Sequence, residues 1–142
     1  MPLRRKLAAA GLVVYTLALV AVLLGPSPEA GDTAIRWTRE LMTGVGAPDK
    51  LKDPERIEFL LNVAIFAPWA ALAALVWPQP SWRDWTAYGF VATSLVETVQ
   101  ALVYPDRTAA FSDIAANTLG ALIGSVVVTL ARALARARRG GG

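Results

Sequence analysis

Glu97 and Gln100 stand three residues apart in Ser94-Leu-Val-Glu-Thr-Val-Gln100, inside an otherwise apolar run, and Asp113, Asn117, Gly120 and Gly124 recur at helical spacing in the next. Arg107 stands between the two series, and Asn62 adds an amide to an earlier apolar run. A charged side chain in hydrocarbon costs roughly 2.5 to 3.5 kcal/mol on insertion scales, so several polar groups in adjacent runs point to a site. Their chemistry is bounded. A partly desolvated Glu97 can serve as general acid, general base or neutral hydrogen-bond donor, and Arg107 can grip a phosphate or carboxylate through two parallel hydrogen bonds. Glu97 and Asp113 together form a candidate acid/base pair for lipid-headgroup hydrolysis or transfer, with Ser94 a weak nucleophile candidate one turn from Glu97.

The chain has no histidine and no cysteine. The usual proton shuttle, a Ser-His-Asp triad and thiolate metal sites are therefore missing, so no metal and no cofactor are expected, and an enzyme is the less favoured reading. With 142 residues, 55% of them hydrophobic, and a mean hydropathy of +0.45, the chain reads as one integral membrane domain over 1–142.

Four apolar runs could cross a bilayer, at about 7–24, 57–77, 85–104 and 112–134. Each approaches the ~20 residues that cross ~30 Å of hydrocarbon at about 1.5 Å per residue. Asp53-Pro54-Glu55 supplies a cap, a first-turn proline and an acid for the second run, and Trp77-Pro78-Gln79-Pro80 ends it. Ser112 or Asp113 is the expected cap of the fourth. Arg4, Arg5 and Lys6 open the chain and Arg132, Arg136, Arg138 and Arg139 near its end are also basic. The positive-inside rule places both ends in the cytoplasm, which requires an even number of crossings, and four runs satisfy it. The expected fold is all-α: a four-helix membrane bundle with both termini cytoplasmic. The first run also has signal-peptide features, but its length, Pro28 and the parity of crossings favour a retained span.

The segment 25–56 is then external, its five Lys/Arg balanced by six acidic residues. Ile35, Leu41 and Met42 within 32–43 suggest a short amphipathic helix, either lying at the headgroups or covering the site. Counting inward from the outer ends of their runs puts Asn62, Gln100 and Asn117 at one depth, about 6 to 8 Å below the outer interface. Glu97 falls one turn deeper than Gln100, and Asp106, Arg107 and Asp113 at the rim. Gly120-Ala-Leu-Ile-Gly124 permits close helix approach within the chain, with a homodimer as its alternative use, and Pro68 should kink the second helix and free the Ala64 carbonyl. A polar network that only specifies helix packing would use the same residues.

These motifs resemble the VanZ-like family of small bacterial membrane proteins: Asn62-Val-Ala-Ile-Phe-Ala-Pro68, Ser94-Leu-Val-Glu97-Thr-Val-Gln100, Arg107, and Asp113-Ile-Ala-Ala-Asn117-Thr-Leu-Gly120-Ala-Leu-Ile-Gly124. The resemblance covers mainly 57–128 and leaves the long outer loop aside. Trp69 and Ala70 depart from the family's small or aliphatic residue followed by glycine. The resemblance implies a bacterial cytoplasmic membrane and a link to teicoplanin susceptibility, a cell-envelope antibiotic-resistance trait exerted outside that membrane, without an established activity, and the outward-facing site fits that setting. The expected ligand is a membrane lipid or envelope glycolipid held by Asn62, Glu97, Gln100, Arg107, Asp113 and Asn117, with Pro68, Gly120 and Gly124 in helix packing. A small ion-coupled transporter is a further alternative. The terminal arginines suit topology and anionic lipid, and no nucleic acid is expected.

Overall fold

Each long helix starts or stops where its sequence supplies a reason. The computed structural model describes residues 2–23, 29–103 and 111–140. The elements are α1 (Leu3–Leu23), α2 (Glu29–Gly44), a 3-10 turn (Asp49–Leu51), α3 (Pro54–Val76), α4 (Trp82–Val103) and α5 (Phe111–Gly140). Asp53 caps α3, its carboxylate accepting from the Glu55 amide at 3.0 Å, with Pro54 at the first helical position. α2 stops at a turn in which Gly46, at φ 71°, takes the left-handed conformation while the Ala47 amide returns to the Met42 carbonyl at 2.9 Å. Ser81 and Asp84 cap α4 reciprocally: the Asp84 carboxylate accepts from the Ser81 amide and hydroxyl, both at 2.8 Å, and the Ser81 hydroxyl accepts from the Asp84 amide at 3.3 Å. The Ser81 amide, and then its hydroxyl, hold the Asp84 carboxyl below the usual carboxylate range.

α1, α3 and α5 are long and apolar enough to cross a membrane. α4, with 22 residues, has the length, but Thr93, Ser94, Glu97, Thr98 and Gln100 dilute its hydropathy. Two expected boundaries move. α1 begins at Leu3 and takes the basic residues 4–6 into its first turns, and α5 runs to Gly140. At 30 residues α5 is longer than a bilayer core requires, so its arginine-bearing end projects beyond the apolar stretch. Because α5 already starts at Phe111, Ser112 and Asp113 lie in its first turn and neither is its cap.

α5 packs against both α3 and α4, and α1 attaches to α3, whereas α3 and α4 touch little. Small residues let the helices approach. A Cβ on Gly120 would meet the Val63 carbonyl oxygen at 2.5 Å and the Phe66 Cβ at 2.8 Å; one on Gly124 would collide with the Ala67 carbonyl oxygen and stand 3.0 Å from the Ala71 amide. A Cβ on Gly89 would likewise collide with the Ala121 Cβ. The glycine pair of α5 is thus spent on α3 within the chain, and that face is not open to a second copy. Pro68 is exposed, and its neighbour Ala67 meets α5 instead. α3 continues through Pro68 to Val76, and one residue on from Ala64 the Ile65 carbonyl accepts from the Tyr15 hydroxyl at 2.7 Å.

An arginine of α1 and one of α5 meet the last turn of α3. Arg5 Nε donates to the Val76 carbonyl at 2.6 Å and Arg132 Nη2 to the Ala74 carbonyl at 2.6 Å. These carbonyls have no partner within the helix and carry the negative end of its dipole, which a guanidinium satisfies twice over. The basic stretches near both termini therefore share one end of the molecule.

Candidate functional site

The polar residues gather at the other end, where α3 and α5 begin and α4 finishes. Register places them. Gly120 packs between Val63 and Ala67, and Gly124 against Ala67 and Ala71. Three residues back from Gly120 along these parallel helices, Asn117 comes level with Asn62. On the antiparallel side Gly89 faces Ala121, and Asn117 Nδ2 donates to Thr93 Oγ at 2.9 Å. Asn62, Thr93 and Asn117 form one tier. One turn toward the helix starts, the same register brings Glu58, Glu97 and Asp113 to a common level. Asn62 links the tiers, its Nδ2 donating to Asp113 Oδ1 at 3.1 Å, in keeping with the tilt of helical side chains toward the N-terminus.

Burial separates these groups. Thr93 is 0%, Asn117 2% and Glu97 7% exposed, while Asp113 and Asn62 are half-buried and Glu58 exposed. Asn117 Oδ1 is buried without a hydrogen-bond partner. The three carboxylates share a level without converging, since no group of three acidic side chains among the described residues is placed to hold a metal ion. Ser94 spends its hydroxyl on the Phe90 carbonyl of its own helix at 2.8 Å, which removes it as a nucleophile aimed at Glu97.

The sequence-based depths need one correction. Asn62 and Asn117 are level, as expected, but Gln100 is not with them: it stands two turns beyond Thr93, about 10 Å further along α4. There its Nε2 donates to the Leu23 carbonyl at the end of α1, at 2.6 Å. Glu97 is consequently level with Asp113. Counting from the ends of apolar runs assumes that all helices end in one plane, and α4 overshoots. Arg107 and Asp106 lie outside the described residues.

Two members of the tiers escaped the sequence reading. Thr93 completes a stripe with Trp85, Gly89 and Glu97 at steps of four, the buried face of α4; threonine in an apolar run drew no notice because its hydroxyl normally bonds its own helix. Glu58 carries a stronger signal. Glu58-Phe-Leu-Leu-Asn62 and Asp113-Ile-Ala-Ala-Asn117 each set an acid four residues before an asparagine, on two parallel helices in contact.

A family model described as VanZ/LLP1 matches residues 12–132. The chain belongs to the VanZ/LLP1 family. The match contains every residue of both tiers, and it also spans most of α1 and all of α2, so the long connection from α1 to α3, which the motifs alone left aside, falls within the matched stretch. No curated protein and no solved structure matches the chain.

Proposed function

We propose that this VanZ-family protein is a four-span protein of a bacterial cytoplasmic membrane, with both termini cytoplasmic, that binds the polar headgroup of an envelope lipid or glycolipid at its outward-facing tiers. The meeting of both basic stretches at one end of α3 supports an even number of crossings, and the positive-inside rule makes that end cytoplasmic. The polar tiers then open to the outside, where a contribution to teicoplanin-type susceptibility would be exerted.

The observation that carries this reading is Asn117. A network built only to lock helices together has reason to satisfy every buried group, because an unmet acceptor in a low-dielectric interior is costly. Here Oδ1 of a side chain 2% exposed is unmet, directly below the carboxylate tier. A headgroup hydroxyl or amine supplies the missing donor. The test is lipid mass spectrometry on purified wild type, Glu97→Gln and Asn117→Ala, with Arg107→Ala beside them. A lipid species retained by the wild type and lost from the variants is expected; identical lipid profiles from stably folded variants would sink the proposal.

The common level of Glu97 and Asp113 on neighbouring helices supports one second reading, an intramembrane hydrolase or transferase with these as acid and base. Purified protein incubated with labelled polyprenyl or phospholipid substrates separates the two, since only the enzyme releases a product that Glu97→Gln abolishes.

A further inference from the structure

α2 carries two apolar strips side by side, and the protein covers only one. At about 100° per residue, Ile35, Thr38 and Met42 form the strip that is half-buried. Beside it run Ala34, Trp37 and Leu41, with Trp37 65% and Leu41 68% exposed. Asp32, Arg36, Arg39 and Glu40 occupy the opposite arc.

The position of α2 limits what can cover the open strip. From Leu23 to Glu29 the backbone reaches at most about 20 Å, so α2 begins close to the end of α1. Arg39 Nε donates to the Lys52 carbonyl at 2.9 Å. Asp32 and Arg39, about 10 Å apart along the helix, border one open groove of about 570 Å³ with Pro54, the first residue of α3. α2 therefore crosses the head of α3. α1 and α3 are both apolar enough to cross a membrane, and the head of α3 is where a bilayer gives way to headgroups. On α1 and α3, the two helices that α2 connects, Leu17, Val20 and Leu60 are likewise exposed apolar side chains.

We infer that α2 lies in the plane of the membrane, with Trp37 and Leu41 among the upper acyl chains and the Arg36–Arg39 groove holding the phosphate of a phospholipid headgroup. The chemistry is that of an interfacial amphipathic helix, apolar on one side and guanidinium-bearing on the other. Arg36 and Arg39 each keep further N–H donors beyond the bonds they make to Thr33 Oγ and the Lys52 carbonyl. Asp32 in the same groove adds the opposite charge, so a zwitterionic headgroup fits better than a purely anionic one.

The absence of cysteine makes the test direct. Nitroxide labels are placed singly, through Leu41→Cys and Glu40→Cys, in the full chain reconstituted in phosphatidylcholine vesicles. The label at 41 is expected to be relaxed by oxygen and shielded from a water-soluble nickel chelate, and the label at 40 to show the reverse. Adding Arg36→Ala and Arg39→Ala should move the label at 41 toward water. Equal nickel access at both positions would show that lipid does not cover the strip. Dipolar broadening at 41 that vanishes on dilution in lipid would make the cover a second copy, and an unchanged depth in the arginine variant would refute the phosphate contact. Full shielding only with phosphatidylglycerol would overturn the zwitterionic assignment.

Discussion

The two ends of this molecule use polar side chains in opposite ways. At the end where α3 stops, Arg5 and Arg132 reach backbone carbonyls that any helix terminus leaves open, and the interaction depends on no particular partner side chain. At the end where α3 and α5 start, side chain meets side chain: Asn62 with Asp113, Asn117 with Thr93. Among the described residues each end leaves one buried polar atom unmet, the Asn117 Oδ1 acceptor here and the Trp85 indole N–H donor at the arginine end. The arginine end satisfies open carbonyls, whereas the tiered end sets amides, a hydroxyl and carboxylates against one another across helices.

The seam between the ends should show the largest effect. Gly124→Leu drives a side chain into the Ala67 backbone, which cannot yield, and is expected to destabilise by on the order of 3 kcal/mol, read as a lowered thermal midpoint in detergent. Next is Arg132→Ala, which strips a charge-assisted bond from a half-buried carbonyl; about 1.5 kcal/mol should be lost with lipid co-purification unchanged. Asn117→Ala sharpens the contrast, since interhelical hydrogen bonds in membranes contribute only about 1 kcal/mol, yet the lipid proposed to sit at the tiers should be lost from the purified protein. If Arg132→Ala strips the same lipid, or Asn117→Ala leaves it in place, the two ends are alike and the comparison fails. The smallest effect belongs to Ser81→Ala at the head of α4, where only the exposed hydroxyl bonds of the cap are lost and the thermal midpoint should fall least. Because the folded Asp84 carboxyl titrates below its unfolded value, the bond from the Ser81 hydroxyl to that carboxylate contributes above the unfolded pKa and fades as pH falls through the folded one. Unfolding should therefore separate wild type from Ser81→Ala more widely at neutral than at strongly acid pH, where only the hydroxyl's bond from the Asp84 amide is still lost.

Hydropathy and punctuation made most of the helices legible. Asp53-Pro54 marked the start of α3 and Pro78 its end, and the apolar face at 32–43 marked α2, which extends to Glu29–Gly44. The level of Asn62 with Asn117 could also be read, because both are counted from the starts of parallel helices. Gln100 was misplaced since its depth was counted from the opposite end of an antiparallel helix, where the overshoot of α4 enters in full. Thr93 could not be told from threonines that bond their own backbone, as Thr86 and Thr98 do. The arginine contacts to Val76 and Ala74 left no mark on sequence at all, because a carbonyl acceptor has no residue type.

The central place of α5 also dictates an order of events. It leaves the ribosome after α3 and α4, yet it is the one that both pack on. Until it arrives, Asn62 on α3 and Thr93 on α4 lack their partners Asp113 and Asn117. A nascent chain stopped before Phe111 would thus present buried-type polar groups to lipid, the feature by which membrane quality control can tell an unfinished copy from a finished one.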